Sequence, residues 1–234
     1  MTEKHTMAES FFLFPGQGAQ VVGMAKDAYD AGGHAVALFD EASEILGFDL
    51  AAMTFAGDEA TLALTENCQP ALLVASLALL DTLREMRTVT LRGAAGLSLG
   101  EYTALVALEA MDFSDAVRLV RRRGELMAAA GGGNTGMITV LGLDAETVER
   151  VCREAGREGR LLAPANYNCP GQIAVSGDRE TLKAAAEAFK AAGAKRVMPL
   201  NVAAAFHSPA MAAAREGLKA ALSSTPILGR LDGS

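Results

Sequence analysis

At 234 residues, 50% hydrophobic and 21% charged, the chain can bury a sizeable core, which excludes intrinsic disorder; its 24 glycines follow no three-residue period, which excludes a collagen-like fibre. A net charge of -7 disfavours nucleic acid or an anionic membrane as the main partner, since both call for a basic surface. Three cysteines, Cys68, Cys152 and Cys169, form an odd set without metal-site spacing, as expected of reduced thiols in the cytoplasm.

Met1 to Ser10 is polar and lacks the apolar centre of a signal peptide. The run Phe11-Phe12-Leu13-Phe14 reads as a short, fully apolar strand stopped by Pro15-Gly16, with Gly18 leading into a helical segment. Pro70 is expected to begin a helix reaching about Arg84, apolar nearly all round and therefore buried between layers. Its longest apolar stretch, Ala71 to Leu80, is interrupted by Ser76 and is too short to cross a bilayer. Thr88 to Ala95 predicts a strand that runs through Gly96-Leu97-Ser98-Leu99-Gly100 into a helix from Glu101 to about Ala110. A further helix spans roughly Ser114 to Ala130.

Gly131-Gly132-Gly133-Asn134 is the clearest linker in the chain. Beyond it the pattern predicts a strand (Gly136 to Leu141), a helix capped by Asp144, and a strand (Leu161 to Tyr167). A turn at Cys169-Pro170-Gly171 leads to a strand (Gln172 to Ser176), a helix (about Glu180 to Ala192) and a strand (Arg196 to Leu200). The order β-α-β-β-α-β is that of a ferredoxin-like unit, and Ser208-Pro209 starts one more helix after it. The expectation is an α/β fold: a large domain of residues 1–130 and 204–234 interrupted by a ferredoxin-like subdomain of residues 131–203.

The pentad Gly96-Leu97-Ser98-Leu99-Gly100 fits the G-x-S-x-G elbow, in which a strand turns sharply into a helix and leaves the serine hydroxyl exposed. A nucleophilic serine needs a base. Of three histidines, His5 falls in the polar tail and His34 in a glycine-rich loop, leaving His207 beside the small residues Ala203-Ala204-Ala205 and Phe206. On the helix from Ser114, Ala116, Leu119, Val120, Arg123 and Met127 share one face, whereas Arg118, Arg122 and Glu125 point away. A cation inside an apolar face needs a partner: either a buried acidic side chain or the carboxylate of a substrate, held by the planar guanidinium. Gly16-Gln17-Gly18 lacks the ending of a phosphate loop. It sits after the first strand, where α/β hydrolytic folds supply a second oxyanion donor, the first being the amide after the nucleophile, here Leu99.

Together, Phe14-Pro15-Gly16-Gln17-Gly18-Ala19-Gln20, Gln69-Pro70-Ala71-Leu72-Leu73, Gly96-Leu97-Ser98-Leu99-Gly100-Glu101-Tyr102 and Ala204-Ala205-Phe206-His207-Ser208-Pro209 resemble the malonyl-CoA:acyl-carrier-protein transacylase family. Arg123-Gly124 and Asn166-Tyr167-Asn168-Cys169-Pro170-Gly171-Gln172 add to a similarity running from about residue 11 to residue 222. The resemblance implies an α/β-hydrolase-like large domain with an inserted ferredoxin-like subdomain. It implies Ser98 as the acylated nucleophile, His207 as its base, Arg123 as the clamp for the malonyl carboxylate, and Gln17 with the Leu99 amide at the oxyanion hole. It further implies Phe206 as a selector of malonyl over branched acyl groups, malonyl-CoA and acyl carrier protein as partners, and no cofactor. Two features depart from the family: Leu97 stands where many members carry histidine, and members continue beyond Ser234 with a segment that completes the large domain and supplies the backbone carbonyl orienting the histidine. A serine thioesterase or esterase using the same pair, and a non-catalytic carrier-binding fragment, are the other readings open at this point.

Overall fold

The apolar run near the start is a strand, as its composition requires: in the computed structural model, which describes residues 8–131, 133–156 and 159–228, β1 spans Ala8–Phe14. Five helices follow: α1 (Lys26–Asp30), α2 (His34–Leu46), α3 (Leu50–Ala56), α4 (Glu59–Ala63) and α5 (Thr65–Met86). The chain then returns as β2 (Val89–Gly96), parallel to β1 with Phe14 opposite Gly96, and continues into α6 (Gly100–Ala107) and α7 (Phe113–Ala130). In α2 the buried residues Ala35, Leu38, Phe39 and Ala42 recur at helical spacing, and Phe39 packs with Tyr29 and Phe55 at ring separations of 5.6 and 4.9 Å. Asp49 and Asp58 cap α3 and α4 by accepting the amides of Ala52 and Thr61.

Helix α5 carries twelve buried residues between Thr65 and Leu80. It begins five residues before Pro70, so the expected start at that proline is corrected. A proline inside a helix deprives the carbonyl four residues earlier of its donor. Here that carbonyl belongs to Glu66, and Arg121 Nη1 of α7 donates to it at 3.1 Å. His34 is likewise not a loop residue: it opens α2, with Nδ1 2.6 Å from Asp81 Oδ2. His5 lies outside the described residues, as do Gly132 of the expected linker and the last residues, Gly229 to Ser234.

The remaining elements are β3 (Thr135–Leu141), α8 (Ala145–Ala155), β4 (Leu162–Cys169), β5 (Gln172–Asp178), α9 (Arg179–Ala191), β6 (Arg196–Pro199), a 3₁₀ turn at Pro209–Met211 and α10 (Ala212–Ser223). Their four strands form one antiparallel sheet in the order β4-β5-β3-β6. Asp144 caps α8 through the Thr147 amide; Val148, Val151 and Cys152 of that helix, with Leu182, Ala185 and Phe189 of α9, pack on Ile138, Val140, Ile173 and Val175. Successive strand residues face opposite ways, so Met137 and Ala174 belong to the other face, where Met127, Ala204, Phe206 and Ala214 form a second cluster. The chain divides into two compact units, one of residues 1–125 and 219–234, the other of residues 126–218. No helix among the described residues is long and apolar enough to cross a membrane.

All three cysteines are free; Cys68 and Cys152 are buried and Cys169 is exposed. Burial pushes the thiols of Cys68 and Cys152 up to about 12 from an ordinary 9.0. A thiol whose folded pKa is raised keeps its stabilising share below the unfolded pKa and loses it as pH climbs through the folded one. Stability should therefore fall as pH rises from about 9 towards 12, and Cys68→Ala and Cys152→Ala should each flatten that fall in alkaline melting curves. A disulfide reagent at pH 8 should label Cys169 alone in the folded chain and all three thiols after denaturation.

Candidate active site

The turn from β2 into α6 builds the first part of the site. Leu97, Ser98 and Leu99 separate the strand's last residue from the helix's first, and Ser98 takes a left-handed φ of 53°. Such a backbone is strained for any residue with a Cβ, and it turns the serine out at the head of a helix. The flanking glycines are dictated by crowding. A Cβ on Gly96 would lie 1.8 Å from the Gly100 carbonyl carbon, and one on Gly100 would lie 2.2 Å from the Phe14 oxygen. The Leu97 amide donates to that same Phe14 oxygen at 3.1 Å, which fastens the elbow to the end of β1. Leu99, whose amide follows Ser98, is buried, and Leu97 is exposed.

Arg123 approaches this turn from α7. Its whole predicted face is buried, from Ala116, Leu119 and Val120 to Met127, and Arg123 itself is 8% exposed. Nη2 donates to Ser98 Oγ at 2.8 Å, Nη1 donates to Gln69 Oε1 at 2.7 Å, and the guanidinium carbon lies 5.5 Å from the centre of the Tyr102 ring. The buried acidic partner that was one of two alternatives for Arg123 is not found among the described residues: the nearest acceptors are a neutral amide and a hydroxyl. Burial is the largest influence on the group and lowers its pKa, against the opposing pull of Tyr102 and Glu101; an arginine remains cationic there. Burial raises the Tyr102 phenol in turn, so the ring that faces the guanidinium is neutral at physiological pH.

Helix α5 is the rack for the rest. Thr65 and Gln69, one turn apart, lie on the same side. Thr65 Oγ1 accepts from Gln17 Nε2 at 3.3 Å, and Gln69 holds Arg123. Between them, Cys68 Sγ donates to Gln20 Oε1 at 3.2 Å, and the same oxygen accepts the Gly18 amide at 2.7 Å. The glycine loop after β1 is thus pinned at both ends. Gln17, Ser98, Leu99 and Arg123 all belong to the first unit, whereas Phe206 and His207 belong to the second. His207 is exposed and also adopts a left-handed φ of 53°, while Phe206 is packed in the cluster with Met127, Met137 and Ala174. Among the described residues no group of His, Cys, Asp and Glu is arranged to hold a metal ion.

Thr65, Gln69 and Tyr102 were not singled out by sequence reasoning as individual site residues. Gln69 had a usable signal: it is a polar residue at the start of an otherwise apolar helical run, fully buried in the fold. A buried amide of that kind has to be hydrogen-bonded, and the chemistry of its partner is then informative.

An α/β fold with a serine on a strand-turn-helix elbow, touched by a buried arginine, defines an acyl-transfer class of protein, and residues 11–228 match the family described as the acyl transferase domain. A malonyl CoA-acyl carrier protein transacylase from Bacillus subtilis (strain 168) is 46% identical over 222 residues, covering 94% of this chain and 70% of that protein. One from Staphylococcus aureus (strain MRSA252) is 45% identical, covering 88% of this chain and 66% of that protein. The chain belongs to the malonyl CoA-acyl carrier protein transacylase family. Among solved structures, a malonyl-transacylase in complex with its type II PKS acyl-carrier protein superposes with a TM-score of 0.89 at 40% identity over 94% of this chain and 71% of that one. The transacylase of Coxiella burnetii gives a TM-score of 0.90 at 34% identity, covering 94% of this chain and 70% of that one.

Proposed function

We propose that this chain transfers a malonyl group from malonyl-CoA to the phosphopantetheine thiol of an acyl carrier protein, through an ester on Ser98, in fatty acid or polyketide synthesis in the cytoplasm. The observation that carries the reading is Arg123: a buried guanidinium whose Nη2 already touches Ser98 Oγ and whose Nη1 donates to the neutral Gln69, so an anionic acyl group supplies a directly bonded counter-charge. A simple fatty acyl group leaves that cation uncompensated. The division into an acyltransferase body of residues 1–130 and 204–234 and a ferredoxin-like subdomain of residues 131–203 belongs to the same proposal.

In the first half-reaction Ser98 Oγ attacks the thioester carbonyl, His207 takes the serine proton, and negative charge gathers on the carbonyl oxygen next to the Leu99 amide and Gln17. The carbon–sulfur bond then breaks, and CoA leaves with the proton that His207 returns. In the second half the pantetheine thiol gives its proton to His207, its sulfur attacks the serine ester, and Ser98 recovers its proton as it leaves. Arg123 holds the malonyl carboxylate throughout with two parallel N–H donors. Phe206 limits the size of the group tolerated at the α-carbon.

Intact-mass measurement tests the scheme. Mixing the chain with malonyl-CoA should add one malonyl group, and adding carrier protein should move that group to the carrier. An ester that decays to water at the same rate with or without carrier would replace the transferase reading with a hydrolase. His207→Ala should slow ester formation by about a hundredfold, the usual share of a general base; an unchanged rate would leave His207 without that duty.

A further inference from the structure

His207 sits on a segment whose backbone is unusual. At φ 53° it adopts a left-handed conformation that is uncommon for any residue with a Cβ, and the three carbonyls before it are all engaged. The Ala204 oxygen accepts the Phe206 amide at 3.0 Å, and the Ala205 oxygen accepts the Ser208 hydroxyl at 2.6 Å. The Phe206 oxygen, which belongs to the peptide that leads into His207, accepts a hydrogen bond from Ser176 Oγ. Ser176 is fully buried at the centre of the four-stranded sheet, flanked by Met137 of β3 and Ala163 of β4. Because strand residues alternate, it shares the face of Ala174, on which the Phe206 ring packs. From the neighbouring strand, Thr135 Oγ1 accepts the Ala205 amide at 3.2 Å. Two strand hydroxyls therefore grip the residues on either side of the Ala205–Phe206 peptide, and the last carbonyl before the histidine is held by a serine set beside Met137, Ala163 and Ala174.

We propose that Ser176 is a positioning residue for His207: its hydroxyl fixes the Phe206 carbonyl, sets the left-handed turn at His207 and thereby aims the imidazole for proton transfer, with Thr135 as a weaker second anchor. The sheet of the second unit is then the mount of the base as well as a packing layer. The role rests on the acyl-transfer reading, in which His207 serves Ser98.

The variants are Ser176→Ala and, as a check on folding, Ser176→Cys, which keeps the volume and a weak donor. In Ser176→Ala the malonyl-CoA acylation rate of Ser98 should fall about ten- to a hundredfold with little change in KM, the scale of an ångström-sized misplacement of a catalytic group. Ser176→Cys should fall between that variant and the parent. In a His207→Ala background the same Ser176→Ala change should cost almost nothing, because the residue it positions is gone. The imidazole nitrogen signals supply a readout that needs no turnover: of three histidines, His207 alone should shift or broaden in Ser176→Ala. An equal fold-loss with and without His207, or an unmoved His207 signal in a folded variant, overturns the positioning role and leaves Ser176 as packing. A parent chain that takes no malonyl group from malonyl-CoA overturns the acyl-transfer reading instead, and the imidazole signals still decide whether Ser176 holds His207.

Discussion

Ser98→Ala is expected to abolish the malonyl adduct completely while leaving the fold in place. The hydroxyl is the only group lost, and Arg123, which donates to it, keeps Gln69 and the Tyr102 ring as neighbours. Alanine inherits the left-handed φ of 53° and so gains no relief. Ser98→Gly should behave differently in one measurement only: it removes the same hydroxyl but also the Cβ that resents this backbone, and should be more stable than Ser98→Ala by about 1 kcal/mol. Intact mass after incubation with malonyl-CoA, beside melting curves for the three proteins, provides both readings. A malonyl adduct surviving in Ser98→Ala would place the nucleophile on another residue, and equal stability of the two variants would mean that the elbow is not strained.

The elbow was legible in the sequence because its requirements are local. Gly96 and Gly100 stand within two residues of Ser98, and each is excluded from carrying a Cβ by backbone atoms of the same turn or of the adjoining strand end. The apolar stripe of α7 was equally legible, since Ala116, Leu119, Val120, Arg123 and Met127 recur at helical spacing and all are buried. The start of α5 was not. Pro70 is a sound helix-start signal when nothing compensates for its missing N–H, and the compensation comes from Arg121, 55 residues further along the chain from the Glu66 carbonyl it serves.

The same distance limit explains what was missed at the site. Gln69 becomes meaningful through Arg123, 54 residues away, Thr65 through Gln17, 48 residues away, and Ser176 through the Phe206 carbonyl, 30 residues away. Each is a small polar residue in a strand, loop or helix of ordinary pattern, and none carries a charge whose burial would demand notice. Arg123 did carry one, which is why the sequence exposed the arginine and not the amide that holds it.

Arg123→Ala should be the most selective change in the protein. If the guanidinium clamps the substrate carboxylate, removing it leaves a charged acyl group without its partner in a buried site, at a cost of about 3 to 5 kcal/mol, or roughly a hundred- to several thousandfold in malonyl transfer. The same variant should take uncharged acetyl groups better than the parent, because the site no longer holds a cation needing an anion. Arg123→Lys should recover little: an ammonium keeps the charge but cannot span Gln69 and a carboxylate with parallel donors. Gln69→Glu makes the converse test. It leaves the arginine intact and supplies a carboxylate where Oε1 now accepts at 2.7 Å, so the guanidinium would be neutralised from within the protein and malonyl labelling should fall while acetyl labelling holds or rises. Competition between malonyl-CoA and acetyl-CoA for Ser98, read by intact mass in all four proteins, settles the matter. Efficient acetyl labelling of the parent would remove Arg123 as a clamp, and a Gln69→Glu variant with the parent's preference would show that the neutrality of residue 69 plays no part in selecting a charged acyl group.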